Sequence, residues 1–432
     1  MRFFPKRLEV AAIVLVAVSW VSVAVADSVI SRMVALRFHG FLARASGGKI
    51  EDSVRFIQGR LRELLILMTV ALALWMVGTR IDRMLRRRDG WQRARGLVMG
   101  LVVFILFNVF IAFSGTTVLF WSAFFNKAQV DNFAQYQIKR VLLTEVGAPR
   151  RAILIGNSQT NRSINEVLMN ERIGKRLWTT ELTQPGAHSF DLLTLARDMP
   201  LAKGDIVICY LSEVFFFGSG RGGVASDFFG LREIPDLVQL GGWDWYAPAS
   251  LRSGLIGQVL PVYHYRNSIS QKALGWQLVN VGQARFDASL EQDLESQAER
   301  RAPELKAGKN YEFEKAAFTR LVRELTARGC VTVLIAGHMH PAMQRRMDPG
   351  LRKSMRGFLD HLQASGGGSV TIVDGARFFE PAAGDFMDLV HFNDDSQRRF
   401  TCKLVDFLLS SRLASSASSP EDLNRHQIPN AP

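Results

Sequence analysis

The sequence predicts an α/β protein: N-terminal transmembrane helices followed by a domain with a central parallel sheet and helices on both faces. Three observations predict it. The first 126 residues contain three long apolar stretches without charge, and a helix needs about 20 such residues to cross a bilayer. From Arg151 onward the pattern changes to short apolar runs separated by helical periods, as in a parallel sheet with crossover helices. The charge divides at the same place. Of a formal net charge of +13, residues 1–150 hold +12 (21 Lys/Arg against 9 Asp/Glu) and residues 151–432 hold +1 (32 against 31).

The apolar stretches are Val10 to Ala26, Leu64 to Thr79 and Gly96 to Asn126. Apolar residues surround each of them on all sides instead of forming a stripe, so the expected spans are about 9–30, 61–79 and 96–122 of a membrane region 1–126. The second stretch is short and recruits Leu61, with Arg62 and Arg80 snorkelling to the headgroups. The first also fits a signal peptide, with Arg2, Lys6 and Arg7 before it and Ala24-Val25-Ala26 after its core. An uncleaved anchor is preferred, and both readings start the chain in the cytoplasm. The segment Arg80 to Arg95 packs seven arginines and two aspartates into sixteen residues, which suits a cytoplasmic loop at anionic headgroups. The expected order is in, out, in, out, at the inner or plasma membrane, with a linker 127–150 and an extracytoplasmic domain 151–413.

Composition excludes other classes. With 48% hydrophobic and 22% charged residues the chain is neither disordered nor fibrous, and three cysteines cannot form a paired framework. Because the positive charge belongs to the membrane region, no nucleic-acid partner is expected. Cys209 and Cys330 lie in apolar runs that read as neighbouring strands. An oxidising compartment permits a disulfide between them, but buried thiols packing as small apolar groups are the preferred reading.

In the C-terminal part, strands are expected at Ala152–Gly156, Trp178–Leu182, Asp205–Leu211, Val331–Ala336 and Val370–Val373. Helices are expected near Ser163–Ile173, Phe190–Asp198, Glu312–Ala327, Leu351–Ala364 and Asp395–Leu413. Between 213 and 310 the rhythm is interrupted by a Gly-, Trp- and Tyr-rich insertion. Its Gly218-Ser-Gly-Arg-Gly-Gly223 lacks the Lys-Ser/Thr of a phosphate loop and reads as a flexible lid. Residues 414–432, rich in Ser, Pro and Asn, read as a disordered tail. No internal repeat is present.

The segment with the most chemistry is Ala152-Ile-Leu-Ile-Gly-Asn-Ser-Gln-Thr160, a buried strand, a glycine, and a serine at the start of a helix. Ser158 there presents its hydroxyl at the ligand-binding edge of the sheet, where helix N-terminal amides stabilise an oxyanion. Taken alone it reads equally as a helix cap. Asp388-Leu-Val-His391 shifts the balance: only His391 of the eight histidines has an aspartate three residues before it, close enough to orient the ring while it takes the serine proton.

On these residues the sequence resembles the SGNH (GDSL-like) hydrolases and acyltransferases, over roughly residues 150–413. Gly156-Asn157-Ser158 matches the family's first block, Asp388-x-x-His391 its last, and Gly186 in Gln184-Pro-Gly-Ala-His188 its second. The resemblance implies a flavodoxin-like sheet, catalytic Ser158, Asp388 and His391, an oxyanion hole from the Ser158 and Gly186 amides, and no cofactor. Two departures stand out. The family's Gly-Asp-Ser is Gly-Asn-Ser here, and the third-block Gly-x-Asn-Asp is replaced by Tyr210-Leu-Ser-Glu213. Either Ser212 donates its hydroxyl in place of the asparagine or the hole uses backbone amides alone.

Asn157, His338 and His340 are the expected substrate-binding residues. His338-Met-His340 also invites a metal reading, with Asp385 or Asp388, but no further ligand stands at diagnostic spacing and no metal is expected. Tyr263-His264-Tyr265-Arg266 and Trp243-Asp-Trp245 read equally as an acceptor groove or as lid packing. The expected function is a membrane-anchored serine acyltransferase, O-acetyltransferase or esterase acting on a cell-envelope polysaccharide through an acyl-Ser158 intermediate. The resemblance implies a membrane-bound O-acyltransferase partner and contact with membrane lipids. The alternatives are a non-catalytic scaffold in an envelope assembly complex and a membrane-surface lipase or lysophospholipase that uses Val214-Phe-Phe-Phe217 as a lipid entry.

Overall fold

The computed structural model describes residues 151–173, 177–217, 229–243, 288–306, 308–377 and 379–411, with short pieces of 1–150 and 256–260. The expected linker 127–150 lies almost wholly, and the tail 414–432, the glycine-rich loop 218–223, Trp245 and residues 263–266 lie wholly, outside these residues. The chain divides into two compact units, residues 1–146 with 259–278 and residues 147–258 with 279–432. Part of the expected insertion 213–310 is therefore grouped with the N-terminal unit.

The expectation of transmembrane helices, and with it a multi-pass membrane location, is corrected. Among the described residues no helix is long and apolar enough to cross a membrane. Most of the segments 9–30, 61–79 and 96–122 lies outside the described residues, and the longest described helical run there is 100–106. The apolar composition that prompted the reading specifies a preference for leaving water, and it does not specify one continuous helix.

The second unit is built on five parallel strands, β1 (Arg151–Leu154), β2 (Trp178–Glu181), β3 (Ile206–Leu211), β4 (Val331–Ala336) and β5 (Val370–Asp374), in the order β2-β1-β3-β4-β5. The central strands are nearly continuous apolar runs because both faces are covered. All six residues of β3 are buried, as are all four of β1. The register pairs Ile153 with Thr180 and Val207, Ile208 with Val333, and Leu334 with Ile372. The connecting helices are α1 (Ser158–Ser163), α2 (Glu166–Ile173), α3 (Ser189–Asp198), α4 (Ile234–Gln239), α5 (Ala288–Arg301), α6 (Lys309–Ala327), α7 (Pro341–Arg346), α8 (Pro349–Gly366) and α9 (Asp394–Ser410). The helix expected near Ser163–Ile173 is α2, starting at Glu166; α1, which opens at Ser158, ends before it because Ile164 is extended (φ −122°, ψ 126°).

On one face α9 packs against α1 and α2, and Phe400, Leu404 and Leu408 join Ala152, Leu154, Ile208 and Ile335 in the core. α6 packs against α3 and α8. At the amino edge of the sheet, Arg151 and Asp205 form a bidentate ion pair (2.9 and 2.5 Å), and Arg151 also donates to the Pro200 carbonyl at 2.8 Å. This pins β1 to β3 at the end away from Ser158. Cys209 faces Leu334 in the β3–β4 register while Cys330 precedes β4, so the two thiols are far apart along the strands and both are free and buried.

In this strand order the chain leaves β1 toward β2 on one side and returns to start β3 on the other. Ligands of doubly wound sheets bind at that switch point, beyond the carboxyl ends of the strands. Ser158 follows β1 and Ser212 follows β3.

Candidate active site

The loop after β1 is shaped by Gly156. Its φ of 145° is one that L side chains rarely adopt, and a Cβ there would lie 2.0 Å from Thr160 Oγ1. Thr160 is fully buried, accepting from the Tyr210 amide at 3.2 Å and donating to the Tyr210 carbonyl at 3.3 Å. The glycine therefore lets α1 press against the end of β3. Asn157, not Ser158, caps the helix: its Oδ1 accepts from the Gln159 amide at 2.9 Å. Ser158 becomes the first helical residue, half-buried, with its hydroxyl left for other work and its amide without a helical acceptor.

Asp388 and His391 come from a closed loop. Phe386 and Phe392 form an antiparallel bridge, and the amides of Met387 and Asn393 donate to the carbonyls of His391 and Asp385 at 2.9 Å each. Asp388 Oδ1 accepts from the Val390 and His391 amides at 2.8 Å each, which leaves Oδ2 to meet His391 Nδ1 at 2.7 Å. His391 Nε2 lies 2.8 Å from Ser158 Oγ. Burial pushes the Asp388 carboxyl up, but the His391 hydrogen bond and charge and the two loop amides outweigh it and hold the group below its ordinary value. An ionised carboxylate only accepts, so Nδ1 is the nitrogen that donates to Asp388, and in the neutral ring Nε2 is left with a lone pair for the serine hydroxyl.

The strand β2 continues past its last residue, with the Gln184 amide donating to the Gly156 carbonyl at 2.9 Å. Gln184-Pro185-Gly186-Ala187 then turns, closed by a 3.0 Å bond from the Ala187 amide to the Gln184 carbonyl, with Gly186 at φ 79°. Proline at the second and glycine at the third position are what a type II turn requires. The turn thus starts at the residue bonded to Gly156, and its third residue, Gly186, is exposed.

Ser212 is brought to the same edge but is 1% exposed, and its hydroxyl is engaged by Gln159: Nε2 to Oγ 2.8 Å and Oγ to Oε1 3.1 Å. His338 stands apart, with its ring in the core toward Gly375 and Phe392. Burial pushes its pKa down, with backbone bonding at Gly375 and the charge of Asp374 pulling the other way. His340 is 1% exposed, its Nδ1 accepts from the Ala342 amide at 3.2 Å to cap α7, and its own amide donates to the Leu389 carbonyl at 2.9 Å. The two histidines thus support the loop bearing Asp388 and His391 from behind. Among the described residues no three His, Cys, Asp or Glu side chains are grouped to hold a metal. Trp243 is exposed, and Phe215 and Phe216 are buried in an aromatic cluster with Phe318 and Phe358, so these two phenylalanines belong to the core and offer no lipid entry.

Sequence reasoning missed Gln159, Thr160 and Glu314. Gln159 and Thr160 sit beside the serine, and their signal was a polar pair in the first turn of a helix facing a buried strand. Glu314 had none, because its partner is 125 residues away. Comparison of the sequence with protein-family models finds no match, and comparison with curated proteins finds none either.

Proposed function

We propose that this chain is a serine esterase or acyltransferase in which Ser158 carries the acyl group, His391 is the general acid and base, and Asp388 orients and charges the imidazole. The observation that carries the reading is the pair of contacts at His391: 2.8 Å to Ser158 Oγ and 2.7 Å to Asp388 Oδ2. The resemblance to SGNH hydrolases and acyltransferases supports it.

In the first half-reaction Ser158 Oγ attacks the ester carbonyl as its proton passes to His391 Nε2. The amides of Ser158 and Gly186 hold the oxyanion of the tetrahedral intermediate. Collapse expels the alcohol, which takes the proton back from Nε2 and leaves an ester on Ser158. In the second half, Nε2 removes a proton from an acceptor hydroxyl or from water, the new oxygen attacks the acyl carbonyl, and Ser158 regains its proton. The resemblance supports a polysaccharide hydroxyl as acceptor. The buried Ser212 hydroxyl, engaged by Gln159, favours a hole made of backbone amides alone.

The test is p-nitrophenyl acetate cleavage and labelling by a fluorophosphonate probe, in the wild type and in Ser158→Ala and His391→Ala. The wild type is expected to cleave and to label, and both variants to lose both. A wild type that does neither, or a label on another residue, overturns the reading. Acceptor-dependent loss of free acetate on adding a polysaccharide distinguishes transfer from hydrolysis.

A further inference from the structure

Glu314 is a buried carboxyl that the reaction above does not use. It is 7% exposed, near the start of α6 where that helix packs against α3, and its Oε2 accepts a 2.7 Å hydrogen bond from the Ser189 amide, the first residue of α3. First-turn amides have no helical acceptor, and here a neighbouring helix supplies one. The local cap does a separate job: Asp191 Oδ2 accepts from the His188 amide at 2.8 Å. Only His188 separates α3 from the turn that closes at Ala187, and Ala187, Ser189 and Phe190 are all fully buried. A close-packed connection of that length transmits a shift of the helix start to the turn.

We propose that Glu314 is a positioning residue for the acyl-transfer site: by holding the Ser189 amide it fixes the start of α3 and, through it, the turn that presents the Gly186 amide beside Ser158. This rests on the reading of Ser158 as nucleophile.

The environment gives the device a pH sense. Burial first and then the nearby Asp191 push the Glu314 carboxyl up to about 8, while the Ser189 and Phe190 amides pull it back. From α3 the facing groups are Asp191 and, at its start, His188. Strand β4 carries no charged side chain, Arg352 and Arg356 of α8 act on Glu213, and His361 lines an outer groove with Glu312 and Lys315. Among the described residues Asp191 is thus the charged side chain acting on Glu314. Ionisation sets a buried charge beside the Asp191 carboxylate, a net cost to this packed site even though the Ser189 and Phe190 amides favour the charged form.

The test compares the full chain with Glu314→Gln and Glu314→Ala, using kcat and KM for p-nitrophenyl acetate, fluorophosphonate labelling at Ser158, and thermal melting. Glu314→Ala is expected to lower kcat roughly ten- to hundredfold with little change in KM, as displaced catalytic groups do. Glu314→Gln keeps an accepting oxygen for Ser189, so its kcat stays near wild type at about pH 7, and it does not share the wild-type decline in kcat toward about pH 9. An unchanged kcat in Glu314→Ala overturns the proposal. So does an alkaline limb in Glu314→Gln that superimposes on the wild type, which decides the matter even if Glu314→Ala does not fold. A wild type that neither cleaves nor labels removes the Ser158 reading itself, and this proposal with it.

Discussion

His391 Nε2 and Ser158 Oγ lie 2.8 Å apart across 233 residues of sequence. The serine is held by a glycine turn and an asparagine cap after β1, and the histidine by a bridged loop before α9 that is bonded to the loop after β4 through the His340 amide. Each half is built locally, and the sheet brings the halves together.

Asp388→Asn leaves the loop amides a partner but no longer holds Nδ1 protonated. We expect kcat to fall roughly 10³–10⁴-fold with KM nearly unchanged. Steady-state ester hydrolysis checks this, and a loss under tenfold sinks the orienting role.

Gly156→Ala places a methyl at a φ of 145° and 2.0 Å from Thr160 Oγ1. The expected cost is about 2 kcal/mol or more of stability, visible as a lower urea midpoint. Activity should fall as well, because α1 can no longer press against the end of β3. An unchanged midpoint contradicts the close approach.

Ser212→Ala removes the partner of a buried carboxamide. It should cost about 1–2 kcal/mol of stability yet lower kcat by less than about tenfold, because one lost oxyanion donor typically costs 10²–10³. A loss in that larger range would show that the hydroxyl leaves Gln159 to donate to the oxyanion.

Two carboxyls pull stability in opposite directions with pH. The folded-state value of Glu314 is raised from 4.5 to about 8, so its contribution is full below about 4.5 and is lost as pH rises toward 8. Asp388 is lowered, so its contribution is present above the ordinary aspartate range and is lost as pH falls through the folded value. Melting temperatures of the wild type and Glu314→Gln should therefore converge at acid pH and separate in favour of the variant by about pH 8. Parallel curves count against the buried-charge account.

Breaking the Arg151–Asp205 pair by Arg151→Ala leaves a carboxylate with 4% exposure that keeps the Ala202 amide but no cation from Arg151. About 3–5 kcal/mol of destabilisation is expected, with kcat of the surviving folded protein unchanged because the pair sits at the opposite end of β1 from Ser158.

The sequence by itself determined what short-range chemistry dictates. Continuous apolar runs marked the buried strands, Gly156-Asn157-Ser158 marked a sharp turn into a helix, and the spacing of Asp388 and His391 set them within reach of each other. It also placed three spans on apolar composition, a preference for leaving water, and among the described residues no helix is long and apolar enough to cross a membrane. Asn157 rather than Ser158 as the cap, Ser212 closed onto Gln159, His338 and His340 turned into the protein, and Glu314 beneath Ser189 were all decided by tertiary structure. Each depends on which residues from distant segments compete for the same buried space and the same hydrogen-bonding groups, and that competition exists only once the strands have paired in the order β2-β1-β3-β4-β5.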